Sequence, residues 1–435
     1  MHYYSSAYKS EPVTLRSAVL QGMPPDRGLY MPDSIPQMPP HFFEHIHLLS
    51  YREIATSVAL TLLGEDLPSD AIIRIIDKAL NFDIPLVRLH DHLYILELFH
   101  GPTLAFKDVG ARFMAGLMEY YSERSDQRLT ILTATSGDTG SAVADAFHGA
   151  DGVEVVLLYP QGKISRLQEQ QICTQGANIK ALEIDGSFDD CQKMVKNAFQ
   201  DNELKKKLCL SSANSINIAR LLPQSFYYFH AYARLREEGL REKPLISVPS
   251  GNLGNLTAGL IALRMGLPVR RFIAACNRND TLTRFLDTGR YEPGDTVHTI
   301  SNAMDVGDPS NFDRIRELYG HSPEFLRKDL YSRSFSDDET RDAIRRVYAK
   351  HHYILDPHGA VAVCGIEAYR REHSEQGVYI ALETAHPAKF GDIVEDTLNI
   401  SIDLPPALES VLHKEKNSRK MPADYSKFRQ YLLER

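Results

Sequence analysis

The sequence predicts an α/β protein in which two α/β domains with mostly parallel sheets follow an N-terminal helical cap. Three observations support this. The 435 residues exceed what one hydrophobic core usually supports, so we expect two or three packed units. Hydrophobic residues make up 43% and charged residues 24%, typical of a chain that folds throughout. From residue 129 onward, short β-branched runs alternate with segments of helical spacing, the pattern of βαβ units.

Short apolar runs predict the strands, and apolar residues spaced three or four apart predict the helices. The predicted strands are 129–135, 153–159, 179–184, 245–249, 271–276 and 378–384. The clearest helical patterns are at 51–63, at 69–81, and over Val109, Phe113, Leu117 and Tyr120.

These patterns divide the chain into four parts. The predicted parts are a cap at 1–90, a small α/β domain at 101–235, a large α/β domain at 91–100 and 236–405, and a helical tail at 406–435. We expect the tail to pack on the outside, because its residues are highly charged.

Charge and composition exclude several classes of function. The net charge is −8 and no run of Lys and Arg would track a phosphate backbone, so no nucleic acid is expected as a partner. No apolar stretch approaches the roughly 18 residues of a membrane span, and the first residues do not resemble an export signal. We therefore expect a soluble cytoplasmic protein. Its five cysteines form no CxxC pair, which predicts reduced thiols and no metal site.

Lys107 is the first candidate for chemistry, in the segment LFHGPTLAFKDVGARFMAGLM (98–118). It lies where a loop is expected to enter a helix, beside Phe106. Apolar walls destabilise an ammonium ion, which lowers the pKa of the amine and frees its lone pair for imine formation. The alternative is a surface lysine paired with Asp108.

A glycine-rich turn follows the predicted strand 245–249 and opens directly into a helix. It contains Gly251, Asn252, Leu253, Gly254 and Asn255. Such a turn directs unpaired N–H groups at one point, where the helix dipole favours a phosphate dianion. Neither GxGxxG nor GxxxxGK[ST] occurs in the chain, so a nucleotide fingerprint is absent. The alternative is a plain tight turn.

A second turn from strand to helix lies in TATSGDTGSAVADAF (133–147). Its candidate residues are Ser136, Asp138, Thr139, Gly140 and Ser141. Hydroxyls and N–H groups at a helix N-terminus stabilise a carboxylate, so this turn is a candidate substrate site. The alternative is an ordinary capped helix.

A third polar cluster lies in SSANSINIARLLPQ (211–224). Its candidate residues are Asn214, Ser215, Asn217 and Arg220, with Lys163 of PQGKISRLQ as a further source of positive charge. An arginine beside helix-terminal donors forms an oxyanion or phosphate site. The alternative is that these residues cap helices.

Thr384, at the end of the last predicted strand, presents a hydroxyl suited to a ring nitrogen.

Five segments in this order, HGPTLAFKD, SGDTGSA, SANSIN, PSGNLGN and TAHPAKF, closely resemble the threonine synthases of the pyridoxal-phosphate fold-type II superfamily. The resemblance extends over nearly the whole chain, including RGLYMP near the N-terminus. It implies that pyridoxal 5′-phosphate is held as an imine on Lys107, with its phosphate at 251–255 and its ring nitrogen facing Thr384. The turn at 136–141 would then bind the carboxylate of the substrate.

The resemblance also implies an activity, the last step of threonine biosynthesis. O-phospho-L-homoserine would lose phosphate and gain water to give L-threonine, with Lys107 moving protons at Cα and Cβ. The SANSIN segment, Arg220 and Lys163 would bind the substrate phosphate, and no obligate protein partner is implied. The alternative is a phospholyase on a similar phosphorylated amino acid that releases a keto acid.

Four positions depart from commoner patterns. The loop has Leu253 and Asn255 where GNFGD is frequent, and Glu383 precedes Thr384 where glycine is common. Asp138 stands where many superfamily members have asparagine near the phenolic oxygen of the cofactor.

Overall fold

The computed structural model describes residues 1–90, 92–122, 128–374 and 376–434. The strands in these residues are β1 (Tyr3–Ser5), β2 (Tyr30–Pro32), β3 (Leu86–His90), β4 (Leu93–Glu97), β5 (Leu129–Ala134), β6 (Val153–Pro160), β7 (Ile179–Asp185), β8 (Cys209–Ser212), β9 (Leu245–Pro249), β10 (Arg271–Cys276), β11 (Leu330–Ser334), β12 (Tyr379–Glu383) and β13 (Ser418–Pro422).

The helices in the first half of the described chain are α1 (Leu15–Gln21), α2 (Pro40–His45), α3 (Tyr51–Leu63), α4 (Ser69–Ala79), α5 (Lys107–Ser122), α6 (Asp138–Phe147), α7 (Arg166–Cys173), α8 (Phe188–Ala198), α9 (Asn202–Lys207) and α10 (Ile218–Leu221). Those that follow are α11 (Phe226–Glu237), α12 (Gly254–Arg264), α13 (Thr281–Thr288), α14 (Phe312–Leu318), α15 (Pro323–Asp329), α16 (Asp337–His351), α17 (Pro357–His373), α18 (Gly391–Leu398), α19 (Pro406–Leu412) and α20 (Tyr425–Leu433). The mostly parallel sheets with their helices confirm the predicted α/β class.

The larger sheet has the strand order β11-β10-β9-β12-β4-β3. All neighbours are parallel except β3, which runs antiparallel to β4. The predicted strands 245–249, 271–276 and 378–384 are confirmed as β9, β10 and β12. Because β3 ends at His90, the segment predicted to be the cap contributes the edge strand of this sheet.

The smaller sheet has the order β13-β7-β6-β5-β8 and is parallel throughout. The predicted strands 129–135, 153–159 and 179–184 are confirmed as β5, β6 and β7. Residues 153–160 are buried except for Glu154, as expected of a central parallel strand.

The C-terminal tail is not wholly helical, which corrects the prediction for 406–435. Between α19 and α20 it forms β13, which pairs with β7 in parallel register. Met421 of β13 packs with Phe428 and Leu432 against the core of the smaller sheet. The sequence of β13, SRKMP, has one large apolar residue, so its periodicity did not reveal a strand. Residue 435 lies outside the described residues.

The N-terminal segment shares a core with the helix that carries Lys107. Helix α3 coincides with the pattern predicted at 51–63, and α4 ends two residues before the pattern at 69–81 does. Ile72 and Ile76 of α4 belong to the same buried cluster as Val109 and Phe113 of α5. This packing of α4 against α5 fixes the position of α5.

The candidate residues collect where parallel strands end. The turn at 136–141 follows β5, the SANSIN segment follows β8, the glycine-rich turn follows β9 and Thr384 follows β12. Loops at the carboxyl ends of parallel strands are the usual ligand sites of α/β sheets. Among the described helices, none combines the length and the hydrophobicity that crossing a membrane requires.

Candidate active site

Lys107 is the first residue of α5, and its largely buried amine lies between the Phe106 ring and Asp138. Its Nζ lies 4.8 Å from the centroid of the Phe106 ring, and the side chain is 15% exposed. Burial lowers the pKa of Lys107, and Lys389 and Arg220 lower it further, whereas Asp138 opposes them. A lowered pKa makes the unprotonated, nucleophilic amine more accessible near neutral pH.

Asp108 does not pair with Lys107, so the alternative of a lysine–aspartate surface pair is wrong. The Asp108 side chain is buried and accepts hydrogen bonds from Thr103, from the backbone N–H at 2.9 Å and from Oγ1 at 2.5 Å. Asp108 therefore closes the HGPT loop from the first turn of α5.

Asp138 lies between two lysines. Its carboxylate is 2.8 Å from Lys389 Nζ and 3.5 Å from Lys107 Nζ, and it accepts a hydrogen bond of 3.0 Å from Gln168 Nε2. Burial alone would raise the pKa of Asp138, but Lys389 and Lys107 outweigh burial and hold it well below its usual range. Asp138 is therefore ionised.

Sequence reasoning missed Lys389, although it lies within the TAHPAKF motif. It is fully buried and also donates to the carbonyl of Thr103 at 2.7 Å. The signal was a lysine between Ala388 and Phe390 in this motif, but its partner is 251 residues away in sequence. Only the folded chain brings the two together.

The turn at 136–141 retains fewer free donors than its sequence suggested. Thr135 Oγ1 accepts from the N–H groups of Gly137 at 3.0 Å and Gly140 at 2.7 Å, so the Gly140 amide is already used. The N–H groups of Asp138 and Thr139 make none of the hydrogen bonds found in the described residues. These two amides, with the exposed Ser136, are what remains for a carboxylate.

The glycine-rich turn has the backbone of an anion cradle. Helix α12 begins at Gly254, directly after Leu253 in a left-handed conformation with φ of 60°. A Cβ on Gly251 would lie 2.6 Å from the Cα of Met304, which restricts this position to glycine. The first N–H groups of an eleven-residue helix therefore face the space beside the turn.

Asn255 presents a further donor at the same point. Its Oδ1 accepts from the hydroxyls of Tyr227 and Tyr228, each at 2.6 Å, which fixes the orientation of the amide. Its Nδ2 is buried and has no hydrogen-bond partner among the described residues. A phosphate oxygen would satisfy this donor.

The SANSIN segment lies directly against the glycine-rich turn. Asn252 Nδ2 donates to Ser215 Oγ at 2.7 Å, and Asn311 Nδ2 donates to the Asn252 carbonyl at 2.9 Å. Two segments predicted to bind separate phosphates are therefore neighbours.

Arg220 brings a buried positive charge to this region. It is 3% exposed, its Nη1 donates to the Ala213 carbonyl at 2.8 Å, and its buried Nε has no partner among the described residues. Burial lowers the pKa of Arg220 to about 10, with Asp108 acting in the opposite direction. An arginine with an unused buried donor fits an anionic ligand.

Three further predicted residues do not offer a buried, unpaired donor of the kind that Arg220 has. Asn217 caps α10, and its Nδ2 donates to the carbonyls of Val19 at 2.9 Å and Ser212 at 3.0 Å, so the capping alternative applies. Asn214 Nδ2 donates to the Ala134 carbonyl at 3.0 Å. Lys163 is exposed, and its positive charge acts on Asp190 of α8.

Thr384 is coupled to Lys107 through the backbone. The N–H of Phe106 donates to the Thr384 carbonyl at 2.9 Å, and Ala105 forms an isolated bridge with Ala385. The buried Thr384 hydroxyl makes none of the hydrogen bonds found among the described residues. It is free to contact a ligand beside Lys107.

These features fit pyridoxal phosphate. The buried amine of Lys107 suits an imine, the turn at 251–255 with the unpaired Nδ2 of Asn255 suits a phosphate, and Thr384 supplies a neutral hydroxyl.

Comparison with protein families agrees with this site. Residues 80–384 match the family described as pyridoxal-phosphate dependent enzyme. Residues 2–80 match the threonine synthase N terminus, and residues 359–432 match the threonine synthase C-terminal family.

Individual proteins are similar over the full length. The chain is 45% identical to a threonine synthase of Haemophilus influenzae, with 100% of both chains covered. The crystal structure of threonine synthase from Escherichia coli superposes with a TM-score of 0.92 at 42% identity, covering 100% of both chains. A pyridoxal-phosphate-bound threonine synthase from Brucella melitensis gives a TM-score of 0.91 at 34% identity, covering 100% of this chain and 99% of that one.

Proposed function

The chain belongs to the threonine synthase family of pyridoxal-phosphate enzymes, and from this we propose how its own residues convert O-phospho-L-homoserine and water into L-threonine and phosphate. Pyridoxal phosphate supplies an electron sink that eases proton loss beside the amino group of a bound substrate. Lys107 would hold the cofactor, the amides at 251–255 and Asn255 Nδ2 would hold its phosphate, and the Thr384 hydroxyl would serve its ring nitrogen.

Lys107 is also the base. With substrate bound, its Nζ would remove the proton from Cα and then one from Cβ, so that the γ-phosphate leaves. Protons returned at Cγ and Cα and the hydroxyl of water added at Cβ would then give threonine, with the remaining proton of water going to the phosphate. Its lowered pKa supports this role, because a base must be unprotonated at the working pH. Asp138, held ionised by Lys389, lies close enough to attract the protonated form of Lys107 after each transfer.

The substrate phosphate and carboxylate bind at separate helix starts. Arg220 and Ser215 contact the phosphate, and the amides of Asp138 and Thr139 with Ser136 contact the carboxylate. Asn214 and Lys163 remain candidates at the edge of the phosphate site, with Lys163 dependent on domain closure. We assign Asn217 and Gly140 to holding the loops, because their hydrogen-bonding groups are used.

The observation that carries the proposal is the 2.7 Å hydrogen bond between Asn252 Nδ2 and Ser215 Oγ. It joins the cofactor phosphate site to the segment that leads to Arg220. A substrate with a second phosphate needs two anion sites side by side, and an unphosphorylated amino acid does not.

The test is product analysis with O-phosphohomoserine. Wild-type protein should show the visible absorption of bound cofactor and release threonine and phosphate in equal amounts. Lys107→Ala should release neither, whereas the control Lys206→Ala, at an exposed residue of α9 outside the proposed site, should still release both. Phosphate with 2-ketobutyrate in place of threonine would indicate the phospholyase alternative. A wild type that takes up no added pyridoxal phosphate would contradict the proposal.

The cellular setting follows from the same chemistry. We propose a cytoplasmic enzyme that acts on a small molecule and needs no nucleic acid or obligate protein partner. Its five cysteines are free thiols, four of them buried, which supports a reducing compartment.

We also propose that the small domain at 101–235 closes toward the large one to exclude water. Equal domain angles in crystals with and without a substrate analogue would contradict closure.

A further inference from the structure

Glu383 is a buried acid at the end of β12, directly before Thr384. It is 0% exposed, and its Oε1 accepts the N–H of Asp356 at 2.5 Å. Its Oε2 is buried and has no hydrogen-bond partner among the described residues. An ionised carboxylate with one unpaired oxygen is costly in such a place, so the Glu383 carboxyl group is expected to be neutral.

The neighbouring acid, Asp356, accepts several hydrogen bonds. Its Oδ1 accepts the N–H of His358 at 2.7 Å and lies 2.5 Å from His358 Nδ1. His358 Nε2 accepts the N–H of Ala303 at 3.2 Å, so the imidazole proton is on Nδ1 and points to Asp356. Asp356 also caps α17. Of the two acids, Asp356 is therefore the one whose carboxylate oxygens have donors.

The surroundings of Glu383 agree with a neutral acid. Burial raises the pKa of Glu383 well above its usual range, and Asp356 and Glu97 add to the rise. Glu97 lies opposite Glu383 in the register of β4 and β12. It contacts the hydroxyl of Tyr353 and Nε2 of His100, each at 2.7 Å.

The Glu383 side chain also fills a space that a single glycine leaves. A Cβ on Gly359, in the first turn of α17, would overlap Glu383 Oε2. The large residue at 383 and the absent side chain at 359 are therefore complementary in shape.

Asp356 connects Glu383 to both ends of the cofactor site. Its Oδ2 accepts the N–H of Ala385 at 3.4 Å, directly after Thr384. Through His358, the same carboxylate reaches Ala303 in the short turn Asn302–Met304. That turn packs against Gly251 of the phosphate loop.

We propose that Glu383, as a buried neutral acid that accepts the Asp356 N–H, is a positioning residue that fixes the site at Thr384 and at the phosphate loop together. The inference rests on the proposed function only in naming the ligand. Glu383 itself touches neither substrate nor cofactor.

The first experiment measures the affinity of the apoprotein for pyridoxal phosphate, well below the melting temperature. Glu383→Gln keeps a neutral side chain of the same shape that can accept the Asp356 N–H, and it should bind within about 3-fold of wild type, whereas Glu383→Gly should lose roughly 10-fold. A roughly 10-fold loss in Glu383→Gln would show that the charge is needed and would overturn the neutral acid.

The second experiment tests complementarity between the two positions. Gly359→Ala should weaken binding roughly 10-fold in the wild-type background, but should have less than about 3-fold effect when added to Glu383→Gly, because the overlap is then gone. Equal effects in both backgrounds would overturn the inference.

A kinetic split separates positioning from general destabilisation. Glu383→Gly should lower kcat roughly 10-fold and leave KM for O-phosphohomoserine within about 3-fold, because the substrate phosphate site is elsewhere. Unchanged kcat in Glu383→Gly would contradict positioning. If the wild type forms no threonine, the proposed activity fails, but the two binding experiments still decide the role of Glu383.

Discussion

Lys389 and Asp138 form a buried ion pair, with Lys389 Nζ 2.8 Å from Asp138 Oδ1. The pair joins the segment after β12 to the first turn of α6, and so links the larger sheet to the smaller one. Its other consequence is electrostatic, because Asp138 also lies 3.5 Å from Lys107 Nζ, the amine that we propose performs the chemistry.

Removing one partner of this pair should be more harmful than removing both. Lys389→Met leaves Asp138 with a buried charge that only Lys107 and Gln168 offset, and should cost about 3 kcal/mol of unfolding free energy. Urea denaturation of Lys389→Met, Asp138→Asn and the double variant measures this. A double variant as unstable as the sum of the singles would show that the pair is not coupled.

Arg220 should govern affinity for the phosphorylated substrate. Arg220→Met removes a charge-assisted hydrogen bond worth about 1.5–3 kcal/mol, so KM for O-phosphohomoserine should rise roughly 10- to 100-fold. Inhibition by inorganic phosphate should weaken in parallel. Arg241→Met, at an exposed arginine outside the proposed site, is the matched control, and an effect of Arg241→Met as large as that of Arg220→Met would contradict the assignment.

Arg314 should be a strong determinant of stability. It is fully buried and donates to the carbonyls of Tyr30, Ser215 and Ile216, at 3.1, 3.1 and 2.7 Å. Arg314→Met leaves these carbonyls unpaired and should cost about 3 kcal/mol in urea denaturation.

The control for Arg314 lies two residues along the same helix. Arg316 is partly exposed and its contact with Asp313 is long, at 3.9 Å. Arg316→Met should therefore change the unfolding free energy by less than about 0.5 kcal/mol. Equal losses in the two variants would remove the special role of Arg314.

His230 should make the protein less stable in mild acid. It is buried on α11, its Nε2 contacts the Ile84 carbonyl at 2.9 Å, and burial lowers its pKa to about 4, aided by Arg234. Between pH 6.5 and 4 the unfolded chain binds more protons at this residue than the folded chain does. The unfolding free energy therefore falls as the pH falls, by up to about 1.4 kcal/mol per pH unit.

The measurement is urea denaturation at pH 7, 6 and 5 for wild type and His230→Gln. The difference in unfolding free energy between the two proteins should shift in favour of His230→Gln as the pH falls. Other groups titrate equally in both, so parallel curves would contradict the assignment to His230.

Most of the strands and helices that could be predicted were visible as local patterns of apolar residues. Strands such as β9 and β10 are continuous buried apolar runs, so their bounds could be read directly. Strand β13 was not predicted, because the single large apolar residue in SRKMP cannot show an alternating pattern. Its pairing with β7 also spans more than 230 residues. Asn217 was predicted to bind substrate, because nothing in SANSIN reveals that Val19 already occupies its amide.

By itself, the sequence determined the α/β class, the motifs and the family. Strand patterns, glycine-rich turns and the Lys107 segment are made of residues close together in the sequence, so they can be recognised without knowledge of tertiary contacts. The tertiary structure decided the charge of Asp138, the unused donor of Arg220 and the shape match of Glu383 with Gly359. Each of these depends on groups far apart in sequence, and both the desolvation of a charge and the room for a side chain are set by what folds against it.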